Sequence, residues 1–567
     1  MMEEKYLVSL ETSGNQPYIF SSNKLRDVVG ASELIYRVGT DFVKEAIASV
    51  KETWTRKSNG SDPIKMVIST SGKAVLFADS QEVAGHFITE WSKLVAEKAP
   101  GIDAMAVYSR IPFDPNAPLD EPSSYMAAFR DVGKNYSLAK SGRAYALSRF
   151  QRIPLVASCR FSSFPAEGLL HDEPVSRVTM AKLDARNSDA FKNRMKALFP
   201  NERNAAIDAN GLEKLEDMEW LGVVHADGNG LGQIFTKFHD YVKERVCATE
   251  GRVATGWDYI KNYGAFSDAL DRISGEAFKE TVNDIFDGSD GGTIAAIVPI
   301  VVGGDDLTVV LDGRKAIEFA KCFMENFCRK TSFDPDVSMI LERCGDHSKR
   351  LGMCAGICIN KPKFPFSASY QLAEELMQNA KKVKTEVGKD AIALDFHILY
   401  DSVTTSLADI RKKLQTEDDH HHVERFSKPF ALSCGTMLTD RNPRWESAHN
   451  YDRFIKTVRA LSSEVEKENG EREKELPSSQ AYAIRNFLVS ECIETQSANW
   501  RSVMDRHRGF AAKWEQATGT KELYTQMEDC NAQGMCGKNV LSTYFLDALE
   551  AVSFISVDAA VSDEGEE

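Results

Sequence analysis

The sequence predicts an α/β protein made of two similar α/β units followed by a mostly helical region. Two observations lead to this fold class. Residues 1–150 read as strand, helix, strand-turn-strand, helix and strand, and the strand-turn-strand, helix and strand order recurs around Gly303. After residue 400, apolar residues recur mainly at helical spacing, as in 451–467 and 500–517. An unrelated α/β domain over residues 1–150 is the alternative to a repeat.

The first unit carries the turn Ser-Gly-Lys-Ala at Ser71 to Ala74, between two apolar strands. The corresponding turn of the second unit is Gly-Gly-Asp-Asp. A turn without carboxylates lacks the oxygen ligands that a hard cation needs. The first copy is therefore predicted to be degenerate, without a metal site.

The second unit contains the hairpin that dominates the functional prediction. Two β-branched, apolar runs within 300–311 flank Gly303, Gly304, Asp305 and Asp306. The glycines permit a tight turn and a close approach of a ligand to the backbone. Adjacent carboxylates repel each other unless a cation neutralises them, and Mg²⁺ or Mn²⁺ suits such oxygen ligands. The alternative is an ordinary hairpin turn with two solvated acids.

A third carboxylate, Asp227, ends a short apolar strand about eighty residues earlier. The turn from Gly228 to Gly232 follows it and precedes a helix, so its backbone N–H groups could face phosphates. Alone, such a turn is as well explained by a plain strand–helix connection. Its combination with a later Gly-Gly-Asp-Asp hairpin is much more specific.

This arrangement resembles the palm domain of nucleotide cyclases, diguanylate cyclases and many polymerases, and most of all the CRISPR polymerase family. That family comprises the large subunit of type III CRISPR effectors and its stand-alone relatives. Further matching segments are 16–32, 355–359 with the helix that ends at Lys382, and 394–397. The likeness covers about residues 1–400 and is strongest over 215–400.

The resemblance implies tandem ferredoxin-like palms with a division into four parts. These are a degenerate palm-like domain (1–150), a connector (151–215), a catalytic palm (216–400) and a mostly helical C-terminal domain (401–567). It also implies the roles of individual residues. The predicted catalytic and metal-binding residues are Asp227, Asp305 and Asp306. The predicted nucleotide-binding residues are Gly228, Asn229, Gly230, Leu231, Gly232, Gly303, Gly304, Lys381 and Lys382.

The two lysines and the nearby His225 each allow a structural interpretation. Lys381 and Lys382 could instead form a solvated basic helix end that complements the helix dipole. His225 precedes Asp227 by two residues and points to the same face of the strand. It could contact the nucleotide, but we expect it to be a buried structural histidine.

By resemblance, the activity is a nucleotidyltransferase that uses two Mg²⁺ or Mn²⁺ ions and ATP as substrate. The product would be a cyclic oligonucleotide, in particular cyclic oligoadenylate, with release of pyrophosphate, as a second messenger in antiviral defence. One alternative is a mononucleotide or dinucleotide cyclase on the same metals. Another is a nucleotide-binding subunit of a CRISPR-type ribonucleoprotein.

The cysteines and histidines outside the palm do not predict a second metal site. Relatives often carry zinc ligands in the connector, but only Cys159 stands there, without the Cys-x-x-Cys spacing of structural zinc. The run from Asp418 to His422 has the residue types of a metal site, but it is predicted to be a flexible loop. The nuclease domain found at the N-terminus of many relatives is predicted to be absent. The 11 cysteines are read as reduced residues of a cytoplasmic protein.

Net charge limits the choice of partners. The chain carries a formal charge of −15 and has no basic stripe, so a long bound RNA is possible but not favoured. Nucleoside triphosphates and other CRISPR or antiviral defence proteins are the predicted partners. No run of about eighteen apolar residues occurs, so no membrane span is expected.

Overall fold

The structure is a computed structural model. It describes residues 3–54, 62–114, 117–119, 124–143, 150, 153–162, 164–199, 204–205, 218–286, 294–295, 297–344, 349–400, 406–417, 420–432, 443–466, 470–490, 492–526 and 539–555.

The N-terminal unit is a four-stranded antiparallel sheet with helices packed on it. Its elements are β1 (Glu3–Ser13), α1 (Asn15–Ile19), α2 (Leu25–Gly39), α3 (Asp41–Trp54), β2 (Ile64–Thr70), β3 (Lys73–Ala78), α4 (Gln81–Lys98), β4 (Asp103–Phe113) and α5 (Ser124–Ser141). The strand order is β2-β3-β1-β4. The connector adds β5 (Gly168–Leu170), β6 (Glu173–Val175), α6 (Arg177–Asn187), α7 (Asp189–Leu198) and β7 (Asn204–Ala205).

The second unit starts at a strand that is almost wholly buried. Its elements are β8 (Leu221–Gly228), α8 (Leu231–Thr236), α9 (Phe238–Glu250), α10 (Gly256–Phe286), β9 (Ile294–Ala295), β10 (Ile297–Gly303), β11 (Asp306–Asp312), α11 (Ala316–Phe333), α12 (Pro335–Leu341), β12 (Met353–Asn360), α13 (Phe366–Ala380), α14 (Val383–Glu386) and β13 (Ile392–Ile398). The 3₁₀ turn Gly313–Lys315 connects β11 to α11.

The C-terminal region combines helices with short strands. Its elements are α15 (Leu407–Lys413), β14 (Gln415–Glu417), β15 (His421–Glu424), β16 (Phe430–Leu432), α16 (Pro443–Ala448), α17 (Tyr451–Ser462), β17 (Glu464–Glu466), β18 (Arg472–Lys474), α18 (Ser478–Ser490), α19 (Ile493–Arg506), α20 (Arg508–Thr518), β19 (Thr525–Gln526), β20 (Asn539–Ser542) and α21 (Phe545–Ala551).

The two units share their strand order, and the predicted α/β class with two palm-like sheets is confirmed. The second sheet runs β10-β11-β8-β12-β13-β16. Its first four strands have the same order as β2-β3-β1-β4: the two hairpin strands, then the first strand of the unit, then the strand that follows the hairpin. The hairpin strands β10 and β11 pair antiparallel, and β11 then pairs with β8. The Asp-bearing strands are therefore neighbours in the middle of the sheet.

Two details differ from the sequence predictions. Strand β16 pairs with β13, so the palm sheet continues beyond the predicted boundary at residue 400. The run 418–422 was predicted to be a loop. Positions 418 and 419 lie outside the described residues, and the prediction is wrong for His421 and His422, which begin β15 in the sheet β14-β15-β20-β19. Both strands depend on pairing with segments far away in the sequence, which local periodicity does not report.

Helices cover both faces of the second sheet. Gly222 of β8 faces α11, while Gly356 of β12 lies directly against α13. The first unit contacts the second unit at two places. The Gln16 amide donates to Glu374 on α13 at 2.9 Å, and the Ser32 hydroxyl donates to the backbone oxygen of Ile300 on β10. The two units thus share a continuous contact surface beside the Gly-Gly-Asp-Asp hairpin.

No helix within the described ranges is both long enough and apolar enough to cross a lipid bilayer.

Candidate active site

Strand register brings the three predicted carboxylates together. Asp227 at the end of β8 stands opposite Asp306 at the start of β11, and Asp305 occupies the adjoining turn. One carboxylate oxygen from each residue lies within 4.8 Å of the others. The sequence predicted this convergence from two segments about eighty residues apart.

The turn depends on two glycines for different reasons. Gly304 has φ of +60°, the left-handed region that glycine adopts without strain. Gly228 lies beneath Asp305, and a Cβ at Gly228 would come within 2.8 Å of the Asp305 Cβ. Only a residue without a side chain at position 228 therefore lets Asp305 sit beside Asp227.

Helix α10 fixes the turn from outside, a contribution that sequence reasoning missed. The backbone N–H of Gly304 donates to the Asp271 carboxylate at 3.2 Å, and the Ser274 hydroxyl donates to the Gly304 carbonyl. The Ser274 side chain is buried. In the sequence, the available signal was a serine among the apolar residues of one helix face, and spacing along the chain does not say what that serine contacts.

The site is electrostatically costly without a cation. Burial, together with the adjacent Asp306 charge, raises the pKa of Asp305 to about 7. Part of Asp306 is exposed to solvent, but burial of its carboxyl group against the protein raises the pKa of Asp306 as well. Like charges at this spacing favour protonation or a bound cation.

His225 supports the site from the buried side of the strands. Its Nδ1 lies 3.0 Å from the Thr308 hydroxyl oxygen, and its ring centroid lies 5.2 Å from that of Tyr370. The side chain is buried, and burial lowers its pKa. These contacts are those of a structural histidine that orders the strand pair below Asp306.

The structure separates the two predicted lysines. The Lys381 ammonium forms an ion pair with the Asp227 carboxylate, while the next residue, Lys382, is exposed. Burial, with a smaller contribution from Lys384, lowers the pKa of Lys381 to about 8, so this lysine is still mostly protonated at neutral pH. Lys381 thus places a positive charge directly on the carboxylate cluster.

The glycine-rich turn from Gly228 to Gly232 begins at a buried residue, Asn229, and ends at the start of helix α8. Asn229 is fully buried; its amide nitrogen donates to the Ala391 carbonyl at 2.8 Å, and its backbone N–H donates to Gly352 at 2.8 Å. Both donors therefore hold the turn on the protein, and nucleotide contact by Asn229 stays a prediction. Gly230 has φ of +78°, and Leu231 and Gly232 open α8, where first-turn N–H groups lack intrahelical acceptors.

The donor set fits a hard divalent cation. In the part of the chain that the structure describes, Asp227, Asp305 and Asp306 are the group of acidic, histidine or cysteine residues close enough to share an ion. Three carboxylate oxygens suit Mg²⁺ or Mn²⁺, which keep further positions for water and phosphate oxygens.

A comparison with protein families assigns this region. Residues 220–393 match the family model described as Cas10/Cmr2, second palm domain. This region is a Cas10/Cmr2-type palm. The match confirms the resemblance to the CRISPR polymerase family and supports a Cas10-type nucleotide-binding or cyclase role for the palm. The matched residues 220–393 include all three aspartates and both lysines.

Solved structures that match most of this chain include Csm1 and Csm1–Csm4 cassettes. A Csm1–Csm4 cassette in complex with cA4 is 13% identical over 91% of this chain and 69% of that chain, with a TM-score of 0.46. The cassette with cA3 is 12% identical over 97% and 69%, with a TM-score of 0.49. Csm1 of T. onnurineus is 14% identical over 89% of this chain and 64% of that chain, with a TM-score of 0.47. Among curated proteins, no sequence match was found.

Proposed function

We propose that the Cas10/Cmr2-type palm of this chain is a metal-dependent nucleotidyltransferase that joins ATP molecules into a cyclic oligoadenylate. In each step a ribose hydroxyl loses its proton to water and attacks the α-phosphate of another ATP, a phosphodiester bond forms, and pyrophosphate leaves with the electrons of the broken P–O bond. The observation that supports this proposal is the convergence of Asp227, Asp305 and Asp306 at the end of a rigid strand pair.

Asp227, Asp305 and Asp306 would hold one or two Mg²⁺ or Mn²⁺ ions. Such ions, when bound, neutralise the charge on the triphosphate and lower the pKa of the attacking hydroxyl. Asp271 and Ser274 contribute by holding the turn in one geometry, so that the carboxylates are in position before substrate arrives.

Lys381 contributes a second positive charge that can change partners. Without a bound cation it neutralises Asp227. With a cation held by the aspartates, the Lys381 ammonium would be free to contact the triphosphate, and the first-turn N–H groups of Leu231 and Gly232 would offer further donors to phosphate oxygens. The palm's own residues then bind and orient the triphosphate from two sides.

The test is incubation of the full chain with the four nucleoside triphosphates and Mg²⁺ or Mn²⁺, with identification of the products by mass spectrometry. We expect a cyclic oligoadenylate and pyrophosphate. A cyclic mononucleotide or dinucleotide would correct the product class, and intact triphosphates under all conditions would contradict the proposed activity. Repeating the reaction with co-purified CRISPR proteins and RNA tests whether an activator is required.

Lys381 and Lys382 provide a matched pair of variants. We expect Lys381→Met to lower kcat/KM for ATP by about 10- to 100-fold, since it removes a charge-assisted contact in the site. Lys382→Met removes the same charge one residue away on the exposed side and is expected to leave kcat/KM within about twofold. Steady-state pyrophosphate release measures both. Equal losses would show that the lysines act only through the general field of the helix end.

The proposal extends to partners. A Cas10/Cmr2-type palm points to other CRISPR proteins as partners, and the Csm1 cassettes named above are complexes with Csm4. Affinity purification of the tagged full chain from its native host, followed by protein and RNA identification, tests this. Recovery of the chain alone would favour a stand-alone enzyme.

A further inference from the structure

Helix α13 presents a row of side chains to the aspartate site. Tyr370 and Glu374 on α13, and Lys381 directly after it, are spaced so that they share one face of the helix. Both ends of the row are anchored at the site. The Tyr370 ring centroid lies 5.2 Å from that of His225, and the Lys381 ammonium forms an ion pair with Asp227. Glu374 stands between these two anchors.

Glu374 lies close enough to Asp306 for the two carboxylates to act on the same side chains. Burial lowers the pKa of His225, and the charges of Asp306 and Glu374 both oppose this change. Burial raises the pKa of Tyr370 to about 12, and the charges of Glu374 and Asp306 contribute to that rise. Glu374 is only partly buried, and Asp306 is exposed. A fourth carboxylate therefore borders the aspartate cluster.

The first unit orients this fourth carboxylate. The Gln16 amide on α1 donates to Glu374 Oε2 at 2.9 Å. The Phe20 ring, at the end of the same helix, packs against Tyr370 with a centroid distance of 4.7 Å and fixes α1 on α13. A carboxylate has about four lone-pair sites, so one hydrogen bond leaves it able to accept more. Glu374 is thus held in one orientation with acceptor capacity for a ligand.

Contact between the units gives little reason for a charged group at position 374. A glutamine there would accept the same hydrogen bond from Gln16 without adding a like charge beside the aspartates. An ionised carboxylate is a stronger acceptor for hydroxyl groups than an amide is, and proteins use carboxylates to bind ribose hydroxyls. The charge of Glu374 is explained by a ligand that brings hydroxyl donors to this place.

The spacing along α13 indicates which hydroxyls these are. Lys381 is the residue that we expect to contact the triphosphate, and Glu374 precedes it by seven residues. At 1.5 Å per helical residue, the two positions are about 10 Å apart along the axis. In a nucleoside triphosphate the ribose follows directly after the phosphates and carries the 2′- and 3′-hydroxyls. An acceptor set back from the triphosphate contact by this distance suits the ribose.

We propose that the Glu374 carboxylate, oriented by Gln16, binds the ribose hydroxyls of ATP at the aspartate site. The inference rests on the proposed function, because it names the side chain that receives one part of the same substrate. Gln16 is then a positioning residue that the first unit supplies, since it acts on the substrate through Glu374.

The test is binding of α,β-methylene-ATP, which cannot release pyrophosphate, to the full chain with Mg²⁺, measured by isothermal titration calorimetry. We expect Glu374→Gln to weaken binding about tenfold, because it keeps the Gln16 contact but removes the charged acceptor. The 2′,3′-dideoxy form of the analogue should bind the wild type about tenfold more weakly or worse. In Glu374→Gln, removing the hydroxyls should cost clearly less than in the wild type, because groups in direct contact are not additive.

Glu375→Gln is the matched control. It makes the same change one residue along α13, where the carboxylate accepts from the backbone N–H of Leu407 at 2.8 Å, and it should bind the analogue like the wild type. Removal of a negative charge would by itself favour an anionic triphosphate, so a loss of affinity in Glu374→Gln is not an effect of the general field. Unchanged denaturation midpoints verify that both variants fold.

The outcomes separate this inference from the proposed function. A wild type that does not bind the analogue would contradict both. Binding that is lost in Asp305→Asn but unchanged in Glu374→Gln would leave the proposed function standing and refute the role of Glu374. Fully additive losses from Glu374→Gln and from the dideoxy analogue would also refute it, since the carboxylate would then contact another part of the nucleotide. Equal losses in Glu374→Gln and Glu375→Gln would do the same.

Discussion

Asp305→Asn is expected to abolish nucleotide joining and at the same time to stabilise the metal-free protein. The substitution keeps the shape of the side chain but removes one of three carboxylates whose oxygens lie within 4.8 Å. It relieves like-charge repulsion, for which we expect a gain on the order of 1 kcal/mol in the free energy of unfolding. It also removes an ionic ligand, so cation affinity and turnover should both be lost. Asp306→Asn should behave in the same way.

A loss of turnover together with a gain in the free energy of unfolding distinguishes a catalytic role of Asp305 from a structural one. Differential scanning fluorimetry with and without Mg²⁺ or Mn²⁺ should show a cation-dependent rise in Tm for the wild type and little or none for Asp305→Asn. Asp312→Asn is the matched control, because Asp312 ends the same strand away from the cluster and an asparagine can cap the following turn equally well. A variant at position 305 with wild-type turnover would refute the assignment of the aspartate cluster as the catalytic site.

The core of the site could be predicted because its signals are local. A β-branched hairpin with Gly-Gly-Asp-Asp at its tip fixes Asp305 and Asp306, and a strand that ends in Asp227 has few other places to pair. The repeated strand order of the two units follows from the same periodicity. The catalytic function of these residues stays a prediction until products are measured.

The features that escaped prediction depend on contacts between distant segments. Asp271 and Ser274 reach the turn from a helix that begins nearly fifty residues before the hairpin. Asn229 looked like part of an open phosphate loop, but tertiary packing turns its amide inward to Ala391. Strand β16 joins the palm sheet from beyond the predicted domain boundary. Spacing along the chain carries no information on any of these pairings.

Gly356→Ala is expected to destabilise the palm by about 3 kcal/mol or more, since the added methyl group has no room. Position 356 lies in the middle of β12, where every residue is buried. A Cβ there would come within 1.9 Å of the Ala373 carbonyl oxygen and 2.3 Å of the Met377 nitrogen, both backbone atoms of α13. Backbone atoms inside a helix cannot rotate aside, so the whole helix must move.

That movement would reach the candidate active site, because Lys381 follows directly after α13 and pairs with Asp227. Chemical denaturation should therefore show a lower midpoint for Gly356→Ala, and any remaining folded protein should have lost turnover. Gly133→Ala lies on the exposed face of α5, where no atom of the described residues beyond its own helix backbone comes within 4 Å of the new Cβ. It makes the same chemical change at a position where helix propensity favours alanine by about 0.8–1 kcal/mol. A wild-type denaturation midpoint for Gly356→Ala would mean that α13 does not rest directly on β12, and the placement of Lys381 at the carboxylates would be refuted with it.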